Sequence, residues 1–136
     1  PGESPHEKGQ VFLFGVLSSA YSAEDAYQVL SGTDFGELFG AVLSAGDLNG
    51  DGYSDLAVGS PEGNFSRGGV MLYSGSASGE LEVWVELAGE SGAFGSSLDA
   101  TGDWSQDGVD DLLIGAPATW TEDSNGVVYL LQGRGL

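Results

Sequence analysis

The stretch DLNGDGYSDL, residues 47–56, crowds three aspartates, an asparagine and two glycines into one turn ahead of an apolar run. Like charges this close repel one another, so the turn needs a positive charge inside it. Counted from Asp47, oxygen-bearing side chains recur at positions 1, 3, 5 and 9, and position 6 is Gly52, where the chain can bend sharply. Calcium takes six to eight oxygen ligands. The spacing therefore predicts a calcium-binding loop.

The spacing recurs in DWSQDGVDD, residues 103–111, so two calcium sites are predicted. In the first loop the predicted ligands are Asp47, Asn49, Asp51, the backbone carbonyl of Tyr53, and Asp55. In the second they are Asp103, Ser105, Asp107, the backbone carbonyl of Val109, and Asp111. Because a hydroxyl replaces an amide at position 3, the second site is predicted to bind more weakly. Asp99 and Asp110 lie off this spacing and are interpreted as surface charges.

These loops have two other interpretations. Asp, Asn and Gly favour tight turns even without a metal, and one loop alone would leave that interpretation open. An EF-hand would need a glutamate at position 12, where this chain has Val58 and Ile114, and helices on both sides. Two loops with the same spacing and the same sequence context favour calcium.

The loops belong to a longer repeat. Residues 39–61 and 94–117 align, and their aspartates are offset by 56 residues, since Asp47 corresponds to Asp103. A period of this size indicates a repeat architecture. Apolar segments at 9–15, 68–75 and 126–133 form a second recurring unit.

The apolar runs predict an all-β chain. Strands are expected at residues 11–16, 27–30, 41–45, 55–58, 70–74, 81–87, 96–100, 111–114 and 128–132. Four antiparallel strands per repeat are typical of β-propeller blades, whereas an immunoglobulin-like sandwich would not explain the repeated strand–acidic loop–strand unit. Residues 41–45 and 96–100 are rich in small side chains, which indicates crowding near an axis. In ELEVWVEL, residues 80–87, alternation predicts an outer strand with Leu81, Val83, Val85 and Leu87 on one face and Trp84 with the glutamates on the other.

The chain resembles FG-GAP repeats, the blades of integrin α-subunit propellers and their bacterial relatives. The matching features are Phe39–Gly40 and Phe94–Gly95, the two acidic loops, and the GSP and GAP triplets that follow them. This resemblance implies that the acidic loops bind calcium and brace one face of a propeller. It also implies that loops on the opposite face meet a protein or glycan ligand.

The expected organisation is a tail at 1–10 and a repeat region at 11–136. That region comprises a strand pair at 11–30, a blade at 39–87 and a blade at 94–133 that lacks its last strand. About two blades cannot close a ring. We therefore expect either a fragment of a longer propeller or a homo-oligomer, with a trimer favoured over a tetramer.

Composition narrows the function. The net charge is −18, with Lys8, Arg67 and Arg134 as the three strong bases, so nucleic acids and anionic membranes are disfavoured as partners. No stretch is apolar enough to span a membrane, and there are no cysteines. His6 is the single histidine, and no catalytic motif is present, so the chain is not expected to be an enzyme.

The expectation is an extracellular, calcium-binding module for adhesion or recognition. Two alternatives stay open: an accessory domain of a secreted carbohydrate-active or lipase-type enzyme, and a lectin-like propeller. In the lectin-like alternative Trp104 and Trp120 would form the exposed contacts, while Trp84 is expected to pack between blades.

Overall fold

The computed structural model describes residues 8–15, 22–33, 38–63, 67–90, 92–117 and 125–134. Within them the chain forms nine strands in three antiparallel sheets, with one short 3-10 helix at Ala23–Asp25. The strands are β1 Gln10–Leu13, β2 Gln28–Ser31, β3 Val42–Gly46, β4 Asp55–Ser60, β5 Gly69–Ser74, β6 Glu82–Ala88, β7 Ser97–Gly102, β8 Asp111–Ala116 and β9 Val127–Leu131. No helix in these segments is long and apolar enough to cross a membrane.

The three sheets contain two, four and three strands, each in sequence order. We call them the N-terminal pair (β1–β2), the central blade (β3–β6) and the C-terminal blade (β7–β9). The prediction of an all-β fold built from four-stranded antiparallel blades is confirmed. Eight strands begin and end within two residues of the predicted positions. The first ends at Leu13, and Val16, where it was expected to end, lies outside the described residues.

The inner strands of neighbouring blades approach closely. The backbone N–H of Ala100 in β7 donates to the hydroxyl of Ser44 in β3 at 2.9 Å. A Cβ at Gly46 would collide with the carbonyl oxygen of Ala100. Only small residues fit here, as the composition of these two strands predicted.

The Phe-Gly pairs form the junctions between sheets. Phe94 makes an isolated parallel bridge to Gly68, which precedes β5, and a Cβ at Gly68 would collide with the backbone of Phe94. Phe39 lies in the same way against Gly9, which precedes β1. The junction therefore recurs at both boundaries, and in both places the neighbouring residue is a glycine because no side chain fits.

Two hydrophobic cores fill the spaces between the sheets. Leu72, Leu112 and Ile114 lie almost fully buried in the core between the central and C-terminal blades. Val58 and Tyr73 belong to the core between the central blade and the N-terminal pair. Because β4 and β5 contribute to both cores, these two middle strands are buried on both faces, and their sequences are nearly continuous apolar runs.

The predicted alternation along the outer strand is wrong. Leu72 pairs with Val85 but Tyr73 pairs with Val83, so Trp84 is an extra residue in a β-bulge. The bulge shifts the alternation, so the residues before and after it no longer follow one pattern of faces. Trp84 and Leu87 pack against the core towards the C-terminal blade, whereas Val83 is 68% exposed. The expectation that Trp84 packs between blades is confirmed.

Candidate metal centres

The two acidic loops occupy equivalent places in successive blades. The first loop, residues 47–55, joins β3 to β4, and the second, residues 103–111, joins β7 to β8. Gly52 and its counterpart Gly108 have φ of 86° and 88°, which confirms the sharp bend expected at position 6. Position 4 is also left-handed, with Gly50 at 75° and Gln106 at 61°.

Position 1 organises each loop through its carboxylate. Asp47 accepts the backbone N–H groups of Asp51 at 3.1 Å and Gly52 at 2.9 Å. Asp103 accepts the corresponding groups of Asp107 at 3.1 Å and Gly108 at 2.8 Å. These bonds curl the backbone of each loop around its first aspartate.

Position 9 ties each loop to the end of the third strand of its blade. Asp55 accepts the backbone N–H of Gly75 at 3.0 Å, and Asp111 accepts that of Gly133 at 2.9 Å. Both aspartates are almost fully buried, at 1% and 0% exposure. A buried carboxylate is costly unless it is hydrogen-bonded or bound to a cation, and these backbone bonds supply part of that compensation at both positions.

The pKa values of these equivalent carboxyls shift in opposite directions. Burial raises the pKa of Asp55 above its ordinary value, and repulsion from Asp51 adds to the rise despite hydrogen bonds from Gly75 and Leu48. Burial also opposes ionisation of Asp111, but bonds from the N–H groups of Ser105 and Gly133 and from the Ser105 hydroxyl outweigh it and lower its pKa. The hydroxyl at position 3 therefore favours an ionised Asp111.

The second loop brings three carboxylates to one point. Oxygen atoms of Asp103, Asp107 and Asp111 all lie within 4.8 Å of one another, and this is the one such group among the described residues. Ser105 lies beside them, with its Oγ 3.2 Å from Asp111 and 3.4 Å from Asp103. Hard oxygens converging from alternate positions suit calcium, so this donor set fits the predicted ion.

The first loop is arranged differently, and only positions 3 and 5 are in direct side-chain contact there. The buried amide of Asn49 donates to Asp51 at 3.2 Å and accepts the N–H of Asp51 at 3.0 Å. Asp51 also accepts the N–H of Tyr53 at 2.9 Å. One carboxylate oxygen of Asp51 is therefore directed to the amide, and the three aspartates do not form the tight group seen in the second loop. Which loop binds more tightly stays a prediction.

A contact between the loops was missed by the sequence analysis. Asp110, interpreted there as a surface charge, accepts the backbone N–H of Asp47 at 2.9 Å and donates its own N–H to the Asp47 carbonyl at 3.1 Å. Arg134 donates its backbone N–H to the carbonyl of Leu48 at 3.0 Å. The sequence gives one hint, because the second loop has an aspartate at position 8 where the first has Ser54.

Of the residues proposed for exposed contacts, Trp104 lies at position 2 of the second loop and is 61% exposed. Asp99 lies on β7 and is exposed, which fits its expected role as a surface charge. Hydrogen bonds from the hydroxyl and the N–H of Thr101 lower the pKa of this carboxyl. Trp120 and His6 lie outside the described residues.

Part of the chain matches a known repeat family, and most of it is similar to integrin alpha chains. The FG-GAP repeat family model matches residues 39–77, which include the first loop. Integrin alpha-4 of Xenopus laevis is 40% identical over 109 residues, covering 76% of this chain and 10% of that protein. Human integrin alpha-8 is 37% identical over 126 residues, covering 85% of this chain and 12% of that protein. Integrin alpha-PS3 of Drosophila melanogaster is 30% identical over 133 residues, covering 93% of this chain and 11% of that protein. The chain thus spans about a tenth of the length of these relatives.

Proposed function

Because the chain carries FG-GAP repeats of an integrin-type β-propeller, we propose that it is a calcium-binding, non-catalytic module for recognition or adhesion outside the cell. The observation that carries the proposal is the convergence of Asp103, Asp107 and Asp111 within 4.8 Å. Extracellular calcium modules commonly bind with dissociation constants of about 10⁻⁴–10⁻³ M, which suits sites filled outside the cell.

Calcium would serve a structural purpose at these positions. Side chains at positions 1, 3, 5 and 9 of each loop, with the backbone carbonyl at position 7, would hold it. Position 9 already contacts the end of the third strand through Gly75 or Gly133. A bound ion would therefore connect the loop between the first two strands to the end of the third strand, and so make each blade rigid.

Thermal unfolding with calcium and with chelator tests this proposal. A ligand that binds only the folded state stabilises it by about 2.7 kcal/mol at a hundredfold excess over its dissociation constant. We expect chelation to lower the melting temperature and expect Asp51→Ala and Asp107→Ala each to remove part of the calcium response. Asp99→Ala is the control, since it removes one exposed carboxylate of the same sheet. An unchanged melting temperature with chelator would contradict the proposal.

A glycan ligand is the second candidate, and the exposed ring of Trp104 favours it. Aromatic faces that remain in solvent can stack against the apolar faces of sugars. A glycan array with the wild type and Trp104→Ala tests this. Binding that survives the substitution would assign the contact to other residues.

We further propose that the blades at 39–87 and 94–133 belong to a closed ring that needs more blades than this chain supplies. They would come from copies of the chain, with three copies favoured, or from a longer protein that contains it. The support is the C-terminal blade, in which the described residues form three strands and all five residues of β9 are exposed. The mass in solution distinguishes the two sources.

A further inference from the structure

The two acidic loops touch each other across the blade boundary. Asp110 sits in the second loop between Val109 and Asp111, two of its predicted ligands. Its carboxylate accepts the N–H of Asp47, and its N–H donates to the carbonyl of Asp47, at 2.9 and 3.1 Å. Asp47 is position 1 of the first loop. One residue of the second loop thus fixes both backbone groups of the residue that organises the first.

A second connection runs in parallel with the first. Gly133 donates to Asp111 in the second loop at 2.9 Å, and the next residue, Arg134, donates to the carbonyl of Leu48 in the first loop at 3.0 Å. A Cβ at Gly133 would collide with the carbonyl of Asp110 and approach that of Leu48 to 2.8 Å. The end of β9 is therefore held against both loops, so the loops form one packed unit.

We propose that Asp110 is a positioning residue that couples cation binding at the two loops, so that occupancy of the second loop raises the affinity of the first. This inference rests on the proposed function. Ordering residues 109–111 around a cation fixes the Asp110 carboxylate and N–H, and these in turn hold the backbone of Asp47. The first loop then loses less conformational freedom when its own cation binds, which is positive cooperativity without a large structural change.

Electrostatics acts in the opposite direction and sets the conditions of the test. A cation in one loop weakens the negative field that attracts a cation to the other. At an ionic strength of about 0.15 M the screening length is about 8 Å, so salt weakens the part of this repulsion that acts beyond that distance and leaves contacts through hydrogen bonds in place. The coupling is therefore best measured at that ionic strength.

Calorimetric titration with Ca²⁺ measures the coupling. Asp107→Ala isolates the first loop and Asp51→Ala isolates the second. The coupling factor is the product of the two association constants of the wild type divided by the product of the association constants of the two isolated loops. Allosteric coupling is typically about 5- to 150-fold, and for a link of a few hydrogen bonds we expect the low end, about fivefold. In the Asp110→Ala background the factor should fall to near one.

Two further variants separate coupling from a general loss of structure. Asp110→Asn keeps an acceptor oxygen for the N–H of Asp47 and should retain most of the coupling if it has the same fold. Asp99→Ala removes an exposed carboxylate of β7 and should leave the factor unchanged. Terbium luminescence sensitised by Trp104 gives an independent measurement of cation binding at the second loop, because that indole lies at position 2 of the loop.

The outcomes are distinguishable. A wild type that binds no Ca²⁺ would overturn the proposed function and this inference with it. Binding at both loops with a factor near one, or a fivefold factor that persists in Asp110→Ala, would overturn the inference and leave the proposed function standing. A factor that is lost in Asp110→Ala and retained in Asp110→Asn supports the link.

Discussion

At the scale of single residues, the left-handed position 4 of the loops gives a stability prediction. Gln106 has φ of 61° where the first loop has Gly50, and a side chain in this region costs about 1–2 kcal/mol. We therefore expect Gln106→Gly to stabilise the protein by about 1 kcal/mol. Gly108→Ala is the opposite control: φ is 88° and no atom lies within 4 Å of the added Cβ, so it should destabilise by backbone strain alone. Urea denaturation measures both, and destabilisation by Gln106→Gly would contradict the prediction.

The hydroxyl of Ser105 gives a pH-dependent prediction. Its bond to Asp111 helps to lower the pKa of that carboxyl, and a lowered pKa contributes stability above the ordinary carboxyl pKa. That contribution disappears as the pH falls through the folded-state pKa. In chelator, Ser105→Ala should therefore be less stable than wild type at neutral pH, with the difference vanishing in acid. The control is Ser76→Ala, because the Ser76 hydroxyl donates to the backbone carbonyl of Glu80. Its difference in stability from the wild type should not change with pH.

Single residues also show what sequence reasoning can recover. The bends at Gly52 and Gly108 follow from local chemistry, because the glycines recur at fixed positions, and the structure confirms them. The calcium ligands stay a prediction. The role of Asp110 does not follow from local chemistry. Its partner Asp47 lies 63 residues away, and only the packing of two blades brings the pair together.

At the scale of elements, the glycine before β5 controls the junction between blades. A Cβ at Gly68 would collide with the backbone of Phe94, and φ is 85°. Gly79 has nearly the same φ, 80°, but its added Cβ would meet only the Tyr27 hydroxyl at 3.9 Å. We expect Gly79→Ala to lower the free energy of unfolding by about 1 kcal/mol. Gly68→Ala should lower it by about 1–3 kcal/mol more than that, because its methyl group also overpacks the junction. Chemical denaturation measures both, and equal losses would show that the junction tolerates a methyl group.

The elements themselves were largely predictable, and the exception has a physical cause. Apolar runs ended by Gly and Pro located the strands, and small residues identified β3 and β7 as the crowded inner strands. The face assignment of β6 failed because alternation assumes an uninterrupted ladder, and the bulge at Trp84 adds a residue. Burying the large indole between blades outweighs the loss of regular pairing at an outer strand, where the ladder has only one neighbour.

At the scale of the whole molecule, the acidic composition and the repeat act together. A net charge of −18 resists compaction by self-repulsion, and the acidic loops concentrate part of it at the blade boundary. Calcium would lower the local negative charge where the two loops meet. The repeat was visible in the sequence because its 56-residue offset preserves the loop and the Phe-Gly pair. The number of blades in the ring was not, since closure depends on surfaces that lie outside any one repeat.

The exposed surface of the C-terminal blade leads to a prediction about assembly. All five residues of β9 are exposed, and an apolar groove of about 600 Å³ runs beside it, lined by residues that include Trp84, Leu112 and Leu130. Among the described residues β9 pairs only with β8, and an apolar strand edge without a partner is a site for pairing with another strand. We therefore expect the chain to self-associate at micromolar concentration or above, with a trimer favoured, as measured by light scattering after size-exclusion chromatography.

A matched pair of lysine substitutions assigns the contact. Val128 on β9 is 71% exposed and Val83 on β6 is 68% exposed, so each can accept a lysine without disturbing a core. Val128→Lys should weaken self-association by placing a charge at the unpaired edge, whereas Val83→Lys should leave it unchanged, because β6 is the completed outer strand of its blade. Equal effects would show that β9 is not the contact. A wild type that stays monomeric at all concentrations would instead favour blades supplied by a longer chain.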